Sequence, residues 1–123
     1  MIRKQTKLKI VDNSGAKLIR IFHLFGYSLI QNYSKVGELV LGSIFRYRVG
    51  RKVQKKQRCL ALIVTVKRNI SRKNGIRIRF DETRGIVLSE TKKLLGTRVF
   101  GPALKEIRCG LFMRLASVVS KLV

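Results

Sequence analysis

The sequence predicts a mainly β fold: a small closed β-barrel of about five strands, with a protruding basic β-hairpin and short C-terminal helices. Three observations carry that prediction. Apolar residues recur with a period of two rather than 3.6 along most of the chain. Turn-forming clusters punctuate these runs at short intervals, and closing short strands into a barrel removes their exposed edges. The length of 123 residues suits one domain, which can bury about two thirds of its unfolded surface. The barrel is expected in about residues 1–95, and a C-terminal loop and helical region in about 96–123.

The elements follow in order. Leu8 and Ile10 alternate with Lys7 and Lys9, a first strand. Asp12-Asn13-Ser14-Gly15 is a dense turn signal. Leu18 to Phe25 reads as a second strand, closed by Gly26. Val36-Gly37 opens a third, Leu39 to Tyr47. Cys59 to Val66 is nearly all apolar and rich in β-branched residues, as expected of a strand buried on both faces. Ile76, Ile78 and Phe80 alternate with Arg77 and Arg79, which predicts a strand with one apolar and one basic face. Ile86 to Leu88 adds a short sixth run. Between Val66 and Ile76, the stretch Lys67 to Gly75 ends in Asn74-Gly75, which tolerates the positive φ of a hairpin loop. This loop should carry Lys67, Arg68, Arg72 and Lys73 into solvent. Gly96 to Pro102 reads as a loop, Ala103 to Arg108 as a short helix with Pro102 at its start, and Leu111 to Val119 as a second.

Charge then narrows the function. There are 28 Lys and Arg against 6 Asp and Glu, a net charge of +22. The chain is also 46% hydrophobic, far too apolar for a disordered basic tail. No acid lies between Glu38 and Asp81, whereas Arg46, Arg48, Arg51, Lys52, Lys55, Lys56, Arg58, Lys67, Arg68, Arg72, Lys73, Arg77 and Arg79 all do. A surface evolved only for solubility mixes signs. One that excludes acids calls for a polyanion, and a phosphate backbone is the commonest.

Catalytic chemistry is missing. His23 is the only histidine, in an apolar strand where a structural or surface role fits better than a base. Asp81 and Glu82 are adjacent, so on a strand they would face opposite ways. No phosphate-binding Gly-Lys-Ser or Gly-Lys-Thr occurs, and no metal-ligand spacing. Cys59 and Cys109 stand apart from any Cys-x-x-Cys pair; Cys59 reads as a small buried hydrophobe, and a reducing compartment fits. An enzyme is excluded on this inventory, and no cofactor or metal is expected. The longest stretch free of charge, Ile21 to Ser34, is too short and polar to span a membrane. The N-terminus lacks a signal-peptide core and does not read as a transit peptide.

Three stretches together resemble one family. The first runs from Thr6 to Lys17 around Val11-Asp12-Asn13-Ser14-Gly15-Ala16-Lys17. The second is Ala61-Leu62-Ile63-Val64, then Asn74-Gly75, Arg77-Ile78-Arg79-Phe80-Asp81 and Thr83. The third is Gly96-Thr97-Arg98-Val99-Phe100-Gly101-Pro102, followed by Lys105-Glu106-Ile107-Arg108 and Phe112-Met113. In this order and spacing they are similar to the universal large-subunit ribosomal protein L-fourteen family, from Met1 to about Ser117. The resemblance implies a five-stranded barrel with a β-ribbon and a short helical tail, without enzymatic activity. It implies large-subunit rRNA and a neighbouring large-subunit ribosomal protein as partners. The rRNA-binding candidates are then Lys17, Arg46, Arg48, Arg51, Lys52, Lys55, Lys56, Lys67, Arg68, Arg72, Lys73, Arg77 and Arg79. It further implies that Gly96 to Pro102 lies where the subunits meet, with Thr97 and Arg98 near small-subunit rRNA, and that this surface, with Arg114, receives a ribosome silencing factor.

The chain departs from the family pattern in three places. Leu29, Ile30, Gln31 and Asn32 precede Tyr33 where the family usually shows a basic pair, so the resemblance does not carry an rRNA contact over to that loop. Ser117 to Val123 lacks the usual proline and acid. The extra charge, with no presequence, implies a mitochondrially encoded member working in the matrix; bacterial cytoplasm and plastid are the alternatives. The alternative function is a free-standing nucleic-acid-binding β-barrel, which would stack bases on exposed aromatics. With no Trp, and with Phe22, Phe80 and Phe112 at apolar positions, recognition through phosphates and shape is expected instead.

Overall fold

The computed structural model describes residues 2–25, 33–108 and 112–123. The expected closure by Gly26, the 29–32 departure, Cys109 and Leu111 lie outside the described residues. Five strands close into the barrel: β1 (Lys7–Ile10), β2 (Ala16–Leu24), β3 (Leu39–Tyr47), β4 (Arg58–Thr65) and β7 (Arg84–Leu88). Neighbours are antiparallel except β1 and β7, whose parallel pairing (Lys9 with Arg84, Ile10 with Gly85) seals the cylinder. The period of two does the sorting: Leu8, Ile19, Ile21, Val40, Ile44, Ala61, Ile63 and Val87 point inward, and all are essentially inaccessible. Ile2 and Val53 join the same interior cluster. Gly85 sits where a Cβ would come within 2.5 Å of Leu8, so the β1–β7 seam closes only over a residue without a side chain.

Directions along the strands define two ends. The β1–β2 turn, the 48–57 connection between β3 and β4, and the loop after β7 share one end. The connection after β4 and the entry to β7 share the other. From this second end projects the hairpin of β5 (Ile70–Ser71) and β6 (Arg77–Ile78), a two-stranded sheet of its own. Its turn contains Asn74 and Gly75 as expected, with Gly75 at φ +82°. The longer amphipathic strand read from Ile76 to Phe80 is not present. Pairing stops at Ile78, and Ile76 is half exposed because the hairpin stands off the barrel. Asp81 and Glu82 lie in the bend before β7 rather than on a strand.

The C-terminal region changes two further expectations. Val99 to Pro102, read as loop, belongs to β8 (Val99–Ala103), which pairs in parallel with β9 (Val119–Leu122) in the tail. That pairing takes Ala103 from the helix read there, leaving one 3-10 turn at Lys105–Ile107. The second helix is α1 (Met113–Val118). These elements cover the outer face of β4 and β7. Val99, Ala103, Ile107 and Val119 pack on Val64 and Ile86, while Phe112 and Leu115 pack on Leu62 and Leu88. Each such buried aliphatic contributes about 1.5–3 kcal/mol. The cover is why β4 is apolar on both faces. The outer face of β1, β2 and β3 is not covered in this way and carries charge.

Candidate nucleic-acid interface

The structure places every predicted rRNA-binding cation except Arg72 on the exposed surface. They divide between the two barrel ends. Lys17, Arg46, Arg48, Arg51, Lys52, Lys55 and Lys56 gather around the β1–β2 turn and the 48–57 connection. Lys67, Arg68, Lys73, Arg77 and Arg79 lie on the hairpin and its stems at the other end. Strand β4, eight residues and so roughly 26 Å long at 3.3 Å per residue, runs between the two ends.

Backbone contacts build the first cluster. Arg48 N–H donates to the Gly15 carbonyl (2.8 Å), which brings the long connection over the turn. Gly15, at φ +103°, leaves room for Arg51, whose Cβ would lie 2.3 Å from any Cβ added there. Asn13, Lys17, Arg48, Arg51 and Phe100 then line a cavity of about 330 Å³ with three cations at its rim. Lys52 reaches away to donate to the Leu95 carbonyl (3.3 Å).

Beneath the turn lies Asp12, which sequence reading treated only as a turn former. Its carboxylate is almost fully buried. Oδ2 accepts from Val87 N–H (2.7 Å), and Oδ1 accepts from Ser14 N–H (2.9 Å) and the Ser14 hydroxyl. Burial raises its pKa above the ordinary 3.8, against the opposing pull of these hydrogen bonds. Next to it, Asn13 Oδ1 accepts from the Thr97 and Arg98 amides (2.7 and 3.1 Å), and its Nδ2 donates to Thr97 Oγ1 (2.8 Å). Gly96 is buried, and a Cβ there would meet Asn13 Oδ1 at 2.6 Å, so the position needs glycine for space. Thr97 and Arg98 are therefore exposed, held in place, and at the same end as the Arg48–Lys56 cluster. Arg114 is exposed on α1, lining an apolar groove with Lys92, Lys93, Phe112 and Val118.

Arg72 corrects the picture of a wholly free hairpin. Its guanidinium bonds Glu106 twice (Nε to Oε1 2.8 Å, Nη2 to Oε2 3.1 Å) and donates to the Val123 carbonyl (2.6 Å). It is a tether between hairpin, 3-10 turn and tail, not a loop cation awaiting phosphate. That bond holds the Glu106 carboxyl below its ordinary pKa. Arg68 instead lies over the Tyr33 ring, 5.8 Å from its centroid. Among the described residues the remaining ion pairs are Lys9–Glu82 and Arg84–Glu82, so the acids engage few of the candidate cations.

Sequence reading missed the outer wall of β1–β3, where Lys7 and Arg20 lie over the exposed Phe45 ring. Phe22, assigned to an apolar position, is 37% exposed, because the alternation that buries Ile19 and Ile21 turns it outward; the irregular register that follows turns His23 outward beside it. The alternation of lysine with Leu8 and Ile10 was the available signal. Cys59 is half buried, and burial together with the charge of Asp12 pushes its thiol up to about 12, so it stays protonated. Among the described residues no cluster of His, Cys, Asp or Glu could hold a metal, and no helix is long and apolar enough to cross a membrane. Compared with known families, the chain matches the model of Ribosomal protein L14p/L23e over residues 1–123.

Proposed function

The chain belongs to the Ribosomal protein L14p/L23e family, and from that premise we propose that it binds large-subunit rRNA through the cationic ends of its barrel. Membership makes it a structural, non-enzymatic constituent of the large ribosomal subunit. The observation that carries the rRNA reading is the two exposed cation clusters, one at each end of the closed barrel, with β4, roughly 26 Å long, running between them. That spacing lets one small protein neutralise phosphates on separate rRNA segments.

The proposal extends to the subunit interface. Thr97 and Arg98 are held outward by Asn13, and Arg114 stands on a basic-rimmed apolar groove; such a surface fits small-subunit rRNA on one side and a protein such as a silencing factor on the other. A neighbouring large-subunit protein is the further partner. The +22 charge favours a mitochondrial ribosome over bacterial cytoplasm or plastid as its setting. The test is rRNA binding across salt. With about 6–10 phosphates neutralised, affinity should fall roughly 10³- to 10⁵-fold between 50 and 200 mM salt, by the duplex DNA relation. A flat response would sink the proposal.

A further inference from the structure

We propose that the outer wall of β1–β3 is a base-stacking site, in which the Phe45 ring receives an unpaired RNA base and Lys7 and Arg20 hold its flanking phosphates. The inference rests on the rRNA-binding reading above. It adds a site, a ligand chemistry and a mode of recognition that the cation clusters do not supply.

Register puts the groups together. Lys7 pairs directly with Arg20, and Arg20 with Ser43, so these three share the outward face; Phe45, two residues beyond Ser43, shares it as well. The side chains converge on the ring. Lys7 Nζ lies 4.9 Å and Arg20 Cζ 5.4 Å from its centroid, within cation–π range. Phe45 is nonetheless 39% exposed, on a part of the barrel wall outside the clusters that the C-terminal elements form on β4 and β7. Phe22 stands exposed on the same wall.

Charge decides the occupant. Among the described residues no carboxylate pairs with Lys7 or Arg20. An apolar protein partner closing over Phe45 would have to strip water from both cations and offer nothing in return. A nucleotide matches both kinds of group at once, with a π face for the ring and phosphate for the cations, the pairing by which stacking platforms hold single strands. The wall runs from one barrel end towards the other, so a strand laid along β1–β3 would pass over the Phe45 ring.

The absence of Trp makes the test direct. Phe45→Trp installs a single indole at the site. Its fluorescence should be quenched on titration with an oligouridylate of about twelve nucleotides, and left unchanged by an abasic oligonucleotide of equal length. Phe45→Ala should weaken binding of oligouridylate about 5- to 150-fold and leave the abasic strand unaffected. Lys7→Ala with Arg20→Ala should weaken both strands and flatten the salt slope. Thermal melts of each variant confirm that the barrel is intact. Salt-dependent binding by the parent, with Phe45→Ala binding as tightly and no quenching, overturns the stacking site and leaves the rRNA reading standing. Failure of the parent to bind either strand overturns both. Loss of a protein contact in Phe45→Ala with RNA affinity intact assigns the wall to a protein and also overturns the proposal.

Discussion

Asp12→Ala should be the most destabilising single change at the β1–β2 turn, although Asp12 touches no predicted ligand. Parallel pairing of β1 with β7 ends at Ile10 and Gly85, and one further backbone bond, Val11 N–H to the Gly85 carbonyl, continues it. Beyond that point the Asp12 side chain takes over as acceptor for Val87 N–H. Val87 and Ser14 are both fully inaccessible, so water cannot replace the lost acceptor. Each orphaned buried donor costs about 1–3 kcal/mol. Two backbone amides are orphaned, and part of that loss is returned because the carboxylate no longer has to be desolvated. The net is about 2–4 kcal/mol, using the same range for buried donors. For a domain of this size that lowers Tm by roughly 6–20 °C. The assay is far-ultraviolet circular dichroism melting at neutral pH, with amide exchange at Val87 as the local readout. Asp12→Asn keeps one acceptor and should fall between parent and Asp12→Ala. A Tm within about 1 °C of the parent, well under the shift expected for one lost buried acceptor, would show that the barrel closes without this bond. Unchanged protection at Val87 would show the same.

The hairpin should separate into binding and structural cations. Arg68→Ser with Lys73→Ser should weaken rRNA binding and leave Tm unchanged or slightly raised by reduced self-repulsion, whereas Arg72→Ser should lower Tm because it frees Glu106 and the tail; the opposite pattern would reverse the roles. Acid should expose the same tether. The Glu106 pKa is lowered from 4.5 by Arg72, so its contribution is present above that value and lost as pH falls through the folded value. Tm–pH profiles of the parent and Glu106→Gln should therefore converge in that acid range, and parallel profiles would contradict the tether. Arg98→Glu should leave incorporation into the large subunit intact and reduce joined ribosomes or silencing-factor binding on gradients. Its neighbours include Arg48 and Arg51 at the same barrel end, so loss of the protein from free large subunits would mean that Arg98 belongs to the anchor.

What was legible in the sequence was what a strictly local period determines. Leu8 and Ile10, the Asp12–Gly15 turn, Leu39 to Tyr47 and the doubly apolar stretch from Cys59 all fall where alternation put them. What was not legible depends on partners distant in sequence. Val99 to Pro102 has no strand pattern of its own, because Pro102 cannot donate and Gly101 takes a positive φ; it becomes a strand only when Val119 to Leu122 lies beside it. Arg72 reads like every other cation in an acid-free run until Glu106, thirty-four residues on, is folded against it. Phe22 reads as core by composition, but the alternation that buries Ile19 and Ile21 turns it out, and the register shift against β3 adds His23 beside it. The basic coat is thus a composition fact, but its division into exposed end clusters, a tether and an aromatic-centred wall is a fold fact. In each case the deciding partner was an acid or a strand elsewhere in the chain. The same reasoning separates the outer wall from the barrel ends: the ends are cationic because loops there are free to be, whereas Lys7, Arg20 and Phe45 are brought to one ring by the register of three paired strands. A rigid sheet fixes those distances before any ligand arrives. Under the stacking proposal the wall would discriminate a base from bare phosphate, which cations without an aromatic ring beside them, reading charge alone, do not.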